Sequence, residues 1–188
     1  MAKHTFEYDL IDIGNGTGGS AAATIAARAG KKVAIIEEDV FGGDSPNWGD
    51  VPTNVLLNVA RIYDEAKHAS RFGLRTTTLG YNYPSIRTWK ELAVKRTGAA
   101  NNRRFYENNG VSAFHGRAHF LTPHEISVNR RHLSAAYFLI ATGSSWSVPT
   151  IPGLEDLNFF TPRTILESLR PPKSIAIIGG GEYGVQIA

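Results

Sequence analysis

Gly14-Asn15-Gly16-Thr17-Gly18-Gly19 is a G-x-G-x-x-G set between an apolar run, Tyr8–Ile13, and an alanine-rich stretch, Thr17–Ala29. Glycines at this spacing can hold a dinucleotide pyrophosphate. Gly14 permits a tight turn, Gly16 lets backbone approach the phosphates, and Gly19 lets the helix press onto the strand. The helix start supplies amide donors and partial positive charge. Glu37 closes the next apolar run, 23 positions after Gly14, where a carboxylate can accept both hydroxyls of an adenosine ribose. An ordinary glycine turn followed by a surface glutamate is the plainer alternative, but it leaves the agreement of spacing, strand and helix unexplained. Several dinucleotide cofactors carry this ribose, and Glu37 does not choose among them.

A second set, Gly179-Gly180-Gly181-Glu182-Tyr183-Gly184, follows the apolar run Ser174–Ile178. Gly179, Gly181 and Gly184 stand where a second nucleotide turn needs them. The next strand and its ribose-binding acid are absent from the sequence, so tight binding at this second turn is not expected.

The elements that must position these residues are readable from periodicity. Tyr8–Ile13 and Lys32–Glu37 are short apolar strands flanking a helix that stops at Gly30, a βαβ unit with a right-handed crossover and parallel strands. A helical stripe runs from Val51 to His68, and a long helix is expected from Pro84 to Asn109, closed by Gly110. Val111 to Ala136 divides into short alternating stretches (VSAFHG, RAHFLTP, EISVN, RHLSA), the pattern of a small antiparallel meander, and Tyr137–Ala141 is a further buried strand. The proline-rich passage Val148–Pro172 reads as a connection and Ser174–Ile178 as another strand. The expected architecture is α/β: a parallel sheet with helices plus a small β-meander.

Composition excludes several other classes. The 42% hydrophobic content of 188 residues is enough for a core. No apolar run is long enough for a signal peptide or membrane span, which makes the cytoplasm the expected compartment. A net charge of +3 is mild, and the Arg103-Arg104 and Arg130-Arg131 pairs lack aromatic interleaving, so no nucleic-acid partner is expected. With no cysteine in the sequence there are no disulfides, thiolate metal sites or thiol catalysis. The six histidines are dispersed, and His4, His115 and His119 have no carboxylates at ligand spacing, so no metal site is expected.

Phe41–Asn54, FGGDSPNWGDVPTN, resembles the redox-disulfide segment of the pyridine nucleotide-disulfide oxidoreductases, which reads roughly GG-x-C-x-N-x-G-C-x-P-[ST]-K. Gly42, Gly43, Asn47, Gly49, Pro52 and Thr53 keep the frame. Ser45 and Asp50 stand at the two cysteine positions, and Asn54 replaces the lysine. Three other stretches are similar to the same family: Gly116-Arg117-Ala118-His119-Phe120 to its G-x-A-x-F turn, Tyr137–Gly143 to its ATG strand, and Ile151-Pro152-Gly153 to its IPG link.

The resemblance implies FAD as cofactor. It places Thr17, Gly18, Glu38, Asp44, Asp50, Ala141, Thr142 and Ser144 in the binding set with the glycines and acid already named. NAD(P) enters only for a full-length parent. It divides the chain into an FAD-binding part over residues 1–148, a connection over 149–173, and the first βα element of an incomplete nucleotide domain over 174–188. In the family, one cysteine exchanges with substrate and the other lies against the flavin. Ser45 and Asp50 cannot make or break a sulfur–sulfur bond, so disulfide reductase activity is not expected.

The resemblance also implies an ion pair at the positions of Asn54 and Gln186. Losing both charges together avoids the cost, about 3 to 5 kcal/mol, of stranding one buried partner. Asp50 reads alternatively as an N-cap for the helix starting near Val51 or as a carboxylate that tunes the flavin. Two other functions stay open: a flavin diaphorase or oxidase working without cysteines, and a non-catalytic remnant or redesigned fold holding no cofactor. Self-association is possible, though not through the family's carboxy-terminal dimer interface.

Overall fold

The structure is a computed structural model and describes residues 6–75, 78–99 and 103–188. His4 and part of the expected helix over 84–109 lie outside the described residues. The chain forms two compact units, each built from two stretches of sequence: residues 1–47 with 98–145, and residues 48–97 with 146–188.

The first unit is a six-stranded mixed sheet in the order β3-β2-β1-β6-β5-β4. Strands β1 (Tyr8–Ile13), β2 (Val33–Glu37), β3 (Val111–His115) and β6 (Arg131–Ile140) form its parallel part. The antiparallel part adds β4 (Ala118–Thr122) and β5 (Glu125–Val128). β2 is buried along its whole length, as expected of a strand covered on both faces. Helix α1 (Thr17–Arg28) crosses from β1 to β2, and its Ala23 packs with Val33, Ile35, Phe41, Tyr106, Val111 and Ala113. A second cluster, including Tyr8, Ile11, Ile36, Ile126, Leu133 and Ala135, fills between β1, β2 and the meander. Asn129 and Arg130, both at positive φ (48° and 65°), close the β5–β6 hairpin, the geometry of a two-residue type I′ turn.

Helix α2 (Asp44–Asn47) belongs to this first unit. The second unit contains α3 (Asp50–Lys67), the 3₁₀ turn Ala69–Phe72, α4 (Tyr83–Thr97), a helix at Pro162–Leu166 and one at Glu182–Ile187. We number these last two α6 and α7, since α5 (Arg103–Asn108) precedes them in the first unit. In the second unit α3 packs against α4 and α7. Lys90 of α4 is buried, and its Nζ donates to the Leu166 carbonyl at 2.5 Å. Burial pushes the Lys90 amine below its ordinary range. The indole face of Trp48 carries the Arg163 guanidinium 3.5 Å from its centroid, and its Nε1 donates to Glu167 at 3.1 Å.

Several expectations are corrected. The long helix over Pro84–Asn109 is two helices, α4 ending at Thr97 before Gly98 and α5 starting at Arg103. VSAFHG is not part of the meander; Val111–His115 pairs in parallel with β2. RHLSA and YFLIA are one strand, β6, whose first residues pair antiparallel with β5 and whose remainder pairs in parallel with β1. Ser174–Ile178 forms no strand, because no described strand offers it a ladder, and Ile175, Ile177 and Ile178 are exposed. The passage Val148–Pro172 contains α6, whose Thr161 cap is reciprocated by Thr164 in a capping box.

Candidate functional site

The parallel strands β3, β2, β1 and β6 end on the same edge, and each hands the chain to a candidate residue. β1 leads into Gly14, β2 ends at Glu37, β3 leads into Gly116, and β6 leads into Ala141. β1 lies between β2, which it reaches through α1, and β6, which the chain reaches only after β3, β4 and β5, so the strand order reverses beside β1. Such a switch point opens a crevice at the carboxyl ends of the strands.

Backbone bonds fix the rim of that crevice. Gly14 N–H donates to Ile36 O at 2.8 Å, Ala141 N–H to Ile13 O at 2.8 Å, and Gly116 N–H to Glu37 O at 2.7 Å. Gly14 sits at φ +103°, and a Cβ there would stand 2.3 Å from the Ala141 carbonyl oxygen. A Cβ on Gly19 would stand 1.9 Å from Gly14 O, so only glycine lets α1 close onto the turn. Gly16, by contrast, faces open space. It is the N-cap of α1 without a side-chain cap, which leaves the first-turn amides free for an anion. Thr17 and Gly18 are exposed at this end.

Glu37 is buried, and both of its oxygens are held. Asn15 N–H donates to Oε2 and Asp39 N–H to Oε1, each at 2.8 Å. Beside it, exposed Glu38 lies 3.6 Å from Arg117, a solvent-screened pair that contributes little to stability. The Gly42–Gly43 turn reaches the first glycine turn through Gly42 N–H, shared between Asn15 Oδ1 at 2.9 Å and Asn15 O at 3.2 Å. Asn47 Nδ2 closes the segment from the other side, donating to Phe41 O at 3.1 Å and Gly43 O at 2.8 Å.

The first unit therefore brings together Gly14, Gly16, Thr17, Gly18, Gly19, Glu37, Glu38, Gly42, Gly43, Asp44, Ser45, Gly116, Arg117, Ala118 and Ala141 to Ser144. Gly49, Asp50, Asn54, Gln186 and the Gly179–Gly184 turn belong to the second unit. The redox-like segment is thus divided after Asn47. Asp50 is not the N-cap: Gly49 takes that place, and Asp50 is the first residue of α3. Its carboxylate still lies in the first turn, where the helix dipole favours negative charge. Asn54 is carried on α3 and Gln186 on α7. The second glycine turn repeats the first: a Cβ on Gly184 would stand 2.0 Å from Gly179 O.

Two buried polar residues were not flagged by the motif. Asp12, on β1, is fully buried, and neither carboxyl oxygen has a hydrogen-bond partner among the described residues. Burial pushes its carboxyl up to about 7, an effect that the nearby Ala23 backbone amide only partly offsets. Asn15 is equally buried. The signal available was polarity itself, since each interrupts an apolar strand or a glycine run.

Comparison with known proteins agrees with this geometry. Residues 8–188 match the family model described as pyridine nucleotide-disulphide oxidoreductase. A dihydrolipoyl dehydrogenase from Acholeplasma laidlawii is 37% identical over 97% of this chain and 55% of its own length. A mercuric reductase from Lysinibacillus sphaericus is 34% identical over 96% of this chain and 33% of its own length. Among solved structures, the Cu(II) complex of a mutant of the HOCl-induced flavoprotein disulfide reductase RclA from Escherichia coli superposes with a TM-score of 0.80 at 25% identity. That match covers 97% of this chain and 39% of the other. The chain spans about half or less of the length of these relatives. With a glycine turn and a buried glutamate at the carboxyl ends of the parallel strands and a family match over residues 8–188, the chain belongs to the pyridine nucleotide-disulphide oxidoreductase family.

Proposed function

We propose that the first unit binds FAD and that the chain carries out no thiol–disulfide exchange. The observation that carries the binding reading is the pairing of an open Gly16 with a closed Gly14–Gly19 contact beside a fixed Glu37 carboxylate. Space is left at Gly16, where a pyrophosphate needs backbone amides, while Gly14 and Gly19 are closed against backbone. Glu37 keeps lone pairs for the ribose hydroxyls, because each oxygen receives one backbone donor. Dependence of the family on FAD supports this cofactor over other adenine dinucleotides.

In this reading the α1 amino terminus and the Gly16 backbone hold the pyrophosphate, and Glu37 orients the ribose. Gly116 to Ala118 line the adenine side, while Ala141 to Ser144 and Gly42 to Ser45 flank the phosphates. FAD bound there supplies a two-electron redox centre. Ser45 offers a hydroxyl and Asp50 a carboxylate, neither with an accessible redox couple, so electrons have no route onward to a disulfide. NAD(P) binding at Gly179, Gly181 and Gly184 is assigned only to a longer parent.

An absorption spectrum of the purified protein, before and after incubation with excess FAD and gel filtration, tests the binding reading. Flavin bands that co-elute with the protein support it, and a colourless protein after incubation overturns it. NADH-driven reduction of lipoamide or dithiobisnitrobenzoate with FAD added tests the second half. No turnover is expected, and measurable turnover refutes the loss of disulfide chemistry.

A further inference from the structure

Asn15 occupies the variable place between the first two glycines, and three parts of the proposed FAD cradle meet on it. Its backbone N–H donates to Glu37 Oε2 at 2.8 Å. Its backbone oxygen and its side-chain Oδ1 share the Gly42 N–H, at 3.2 Å and 2.9 Å. The next residue, Gly43, at φ +68°, leans on the glycine turn so closely that a Cβ there would stand 2.7 Å from the Gly16 Cα. The β1–α1 turn, the ribose-side acid and the Gly42–Gly43 turn are therefore tied through one residue.

Two of the three bonds use the Asn15 backbone and do not depend on its side chain. The shortest contact to Gly42 needs a side-chain oxygen at this reach, which asparagine and aspartate supply. Asn15 is 0% exposed, and its Nδ2 has no partner among the described residues. A buried donor left unpaired is costly, so the side chain is kept in place by the work of its oxygen. That work is geometric: it sets how far the Gly42–Gly43 turn stands from Gly16, and hence the width of the phosphate cradle.

We propose that Asn15 is a positioning residue whose Oδ1 locks the Gly42–Gly43 turn onto the first glycine turn, raising affinity for FAD by fixing the cradle before the nucleotide arrives. The gain comes from preorganisation, since ordering the turn no longer has to accompany binding. This inference rests on the FAD reading above.

The test uses the whole chain and two readouts. Amide exchange at Gly42 is followed by NMR without cofactor, and FAD affinity is measured by fluorescence titration. For Asn15→Ala, Gly42 exchange is expected to quicken and the FAD dissociation constant to rise, each by about tenfold, while Glu37 and the backbone bonds remain. Asn15→Asp restores an acceptor oxygen and is expected to recover most of the Gly42 protection. Where Asn15→Ala fails to fold, Asn15→Ser, whose hydroxyl is too short for the contact, is read in the same two ways. Unchanged Gly42 exchange, or unchanged affinity in the alanine or serine variant, overturns the inference alone. Absence of FAD binding by the parent protein overturns the FAD reading and this inference together.

Discussion

The Asp12 carboxyl lies beneath Gly19: a Cβ built on Gly19 would stand 3.3 Å from Asp12 Oδ1. A buried titratable acid, stabilised as a carboxylate only weakly by the Ala23 backbone amide, thus lies under the turn proposed to bind an anion. Its carboxyl is raised to about 7 in the fold, so the folded state keeps a proton that the unfolded chain releases near 4. The fold loses stability as pH rises from about 4 to about 7 and changes little above that through this group. Asp12→Asn removes the titration. Its stability advantage in urea melts is expected to be near zero at about pH 4 and to grow to at most about 4 kcal/mol at pH 8. An advantage that does not change with pH refutes this account.

Gly19 and Gly16 lie three residues apart and should respond to a methyl group in opposite ways. Gly19→Ala drives a Cβ into the Gly14 carbonyl, where both sides of the contact are backbone, and is expected to destabilise by about 3 kcal/mol. Gly16→Ala meets open space at φ −77° and is expected to leave the melting temperature unchanged while weakening FAD binding. Thermal melts paired with FAD titration separate the two effects, and equal destabilisation by both substitutions contradicts the assignment.

Glu37→Gln keeps the shape of the side chain but turns two charge-assisted acceptor contacts, from Asn15 N–H and Asp39 N–H, into at most one good one. A loss of about 1 to 3 kcal/mol is expected, with FAD affinity falling by at least about tenfold as the ribose loses its acceptor. Titration with FAD alongside riboflavin, which has no adenosine ribose, checks the cause. A weakened FAD interaction with unchanged riboflavin binding is the expected outcome.

Asp50 is the first residue of α3, with Gly49 as the N-cap, and its charge interacts favourably with the helix dipole. Asp50→Asn is expected to cost about 0.5 kcal/mol at low salt and less at high salt. A larger loss that persists in high salt points to a contact beyond the dipole. A redox titration of the FAD-loaded protein gives the complementary measurement: a midpoint that stays unchanged in Asp50→Asn removes any flavin-tuning role for this carboxylate.

The first βαβ unit was legible because every level of signal agreed: apolar runs of strand length, glycine at both helix ends, and an acid at the second strand's end. β3 was misread because Val111 and Ala113 are buried while Ser112 and Phe114 are only half-buried, an alternation that mimics an antiparallel strand with one wet face. It is instead the outermost parallel strand, so pairing on one side only leaves its pattern incomplete. β6 was split because Ser134 and Ala135 look like a break in the apolar run, yet Ala135 is fully buried where both neighbours meet the strand. Gly98 carried the information that divides α4 from α5 and was outweighed by the helical periodicity on either side. At the site, glycine spacing was readable, whereas Asp12 and Asn15 fall in positions that the motif leaves free. Their roles depend on burial, on the approach of Gly19 to Asp12 across the glycine turn, and on the approach of Gly42 to Asn15 from 27 positions away.

Tyr8 pairs with Ala135 and Ile13 with Ile140, although residues 48–97 of the other unit separate the two halves of this sheet in sequence. During synthesis on the ribosome, β1 and β2 emerge before β6 and must wait, with the β1 edge unzipped, until Ile140 has been made. Closure of so distant a pair is entropically slow. The interval leaves an apolar ribbon open to aggregation.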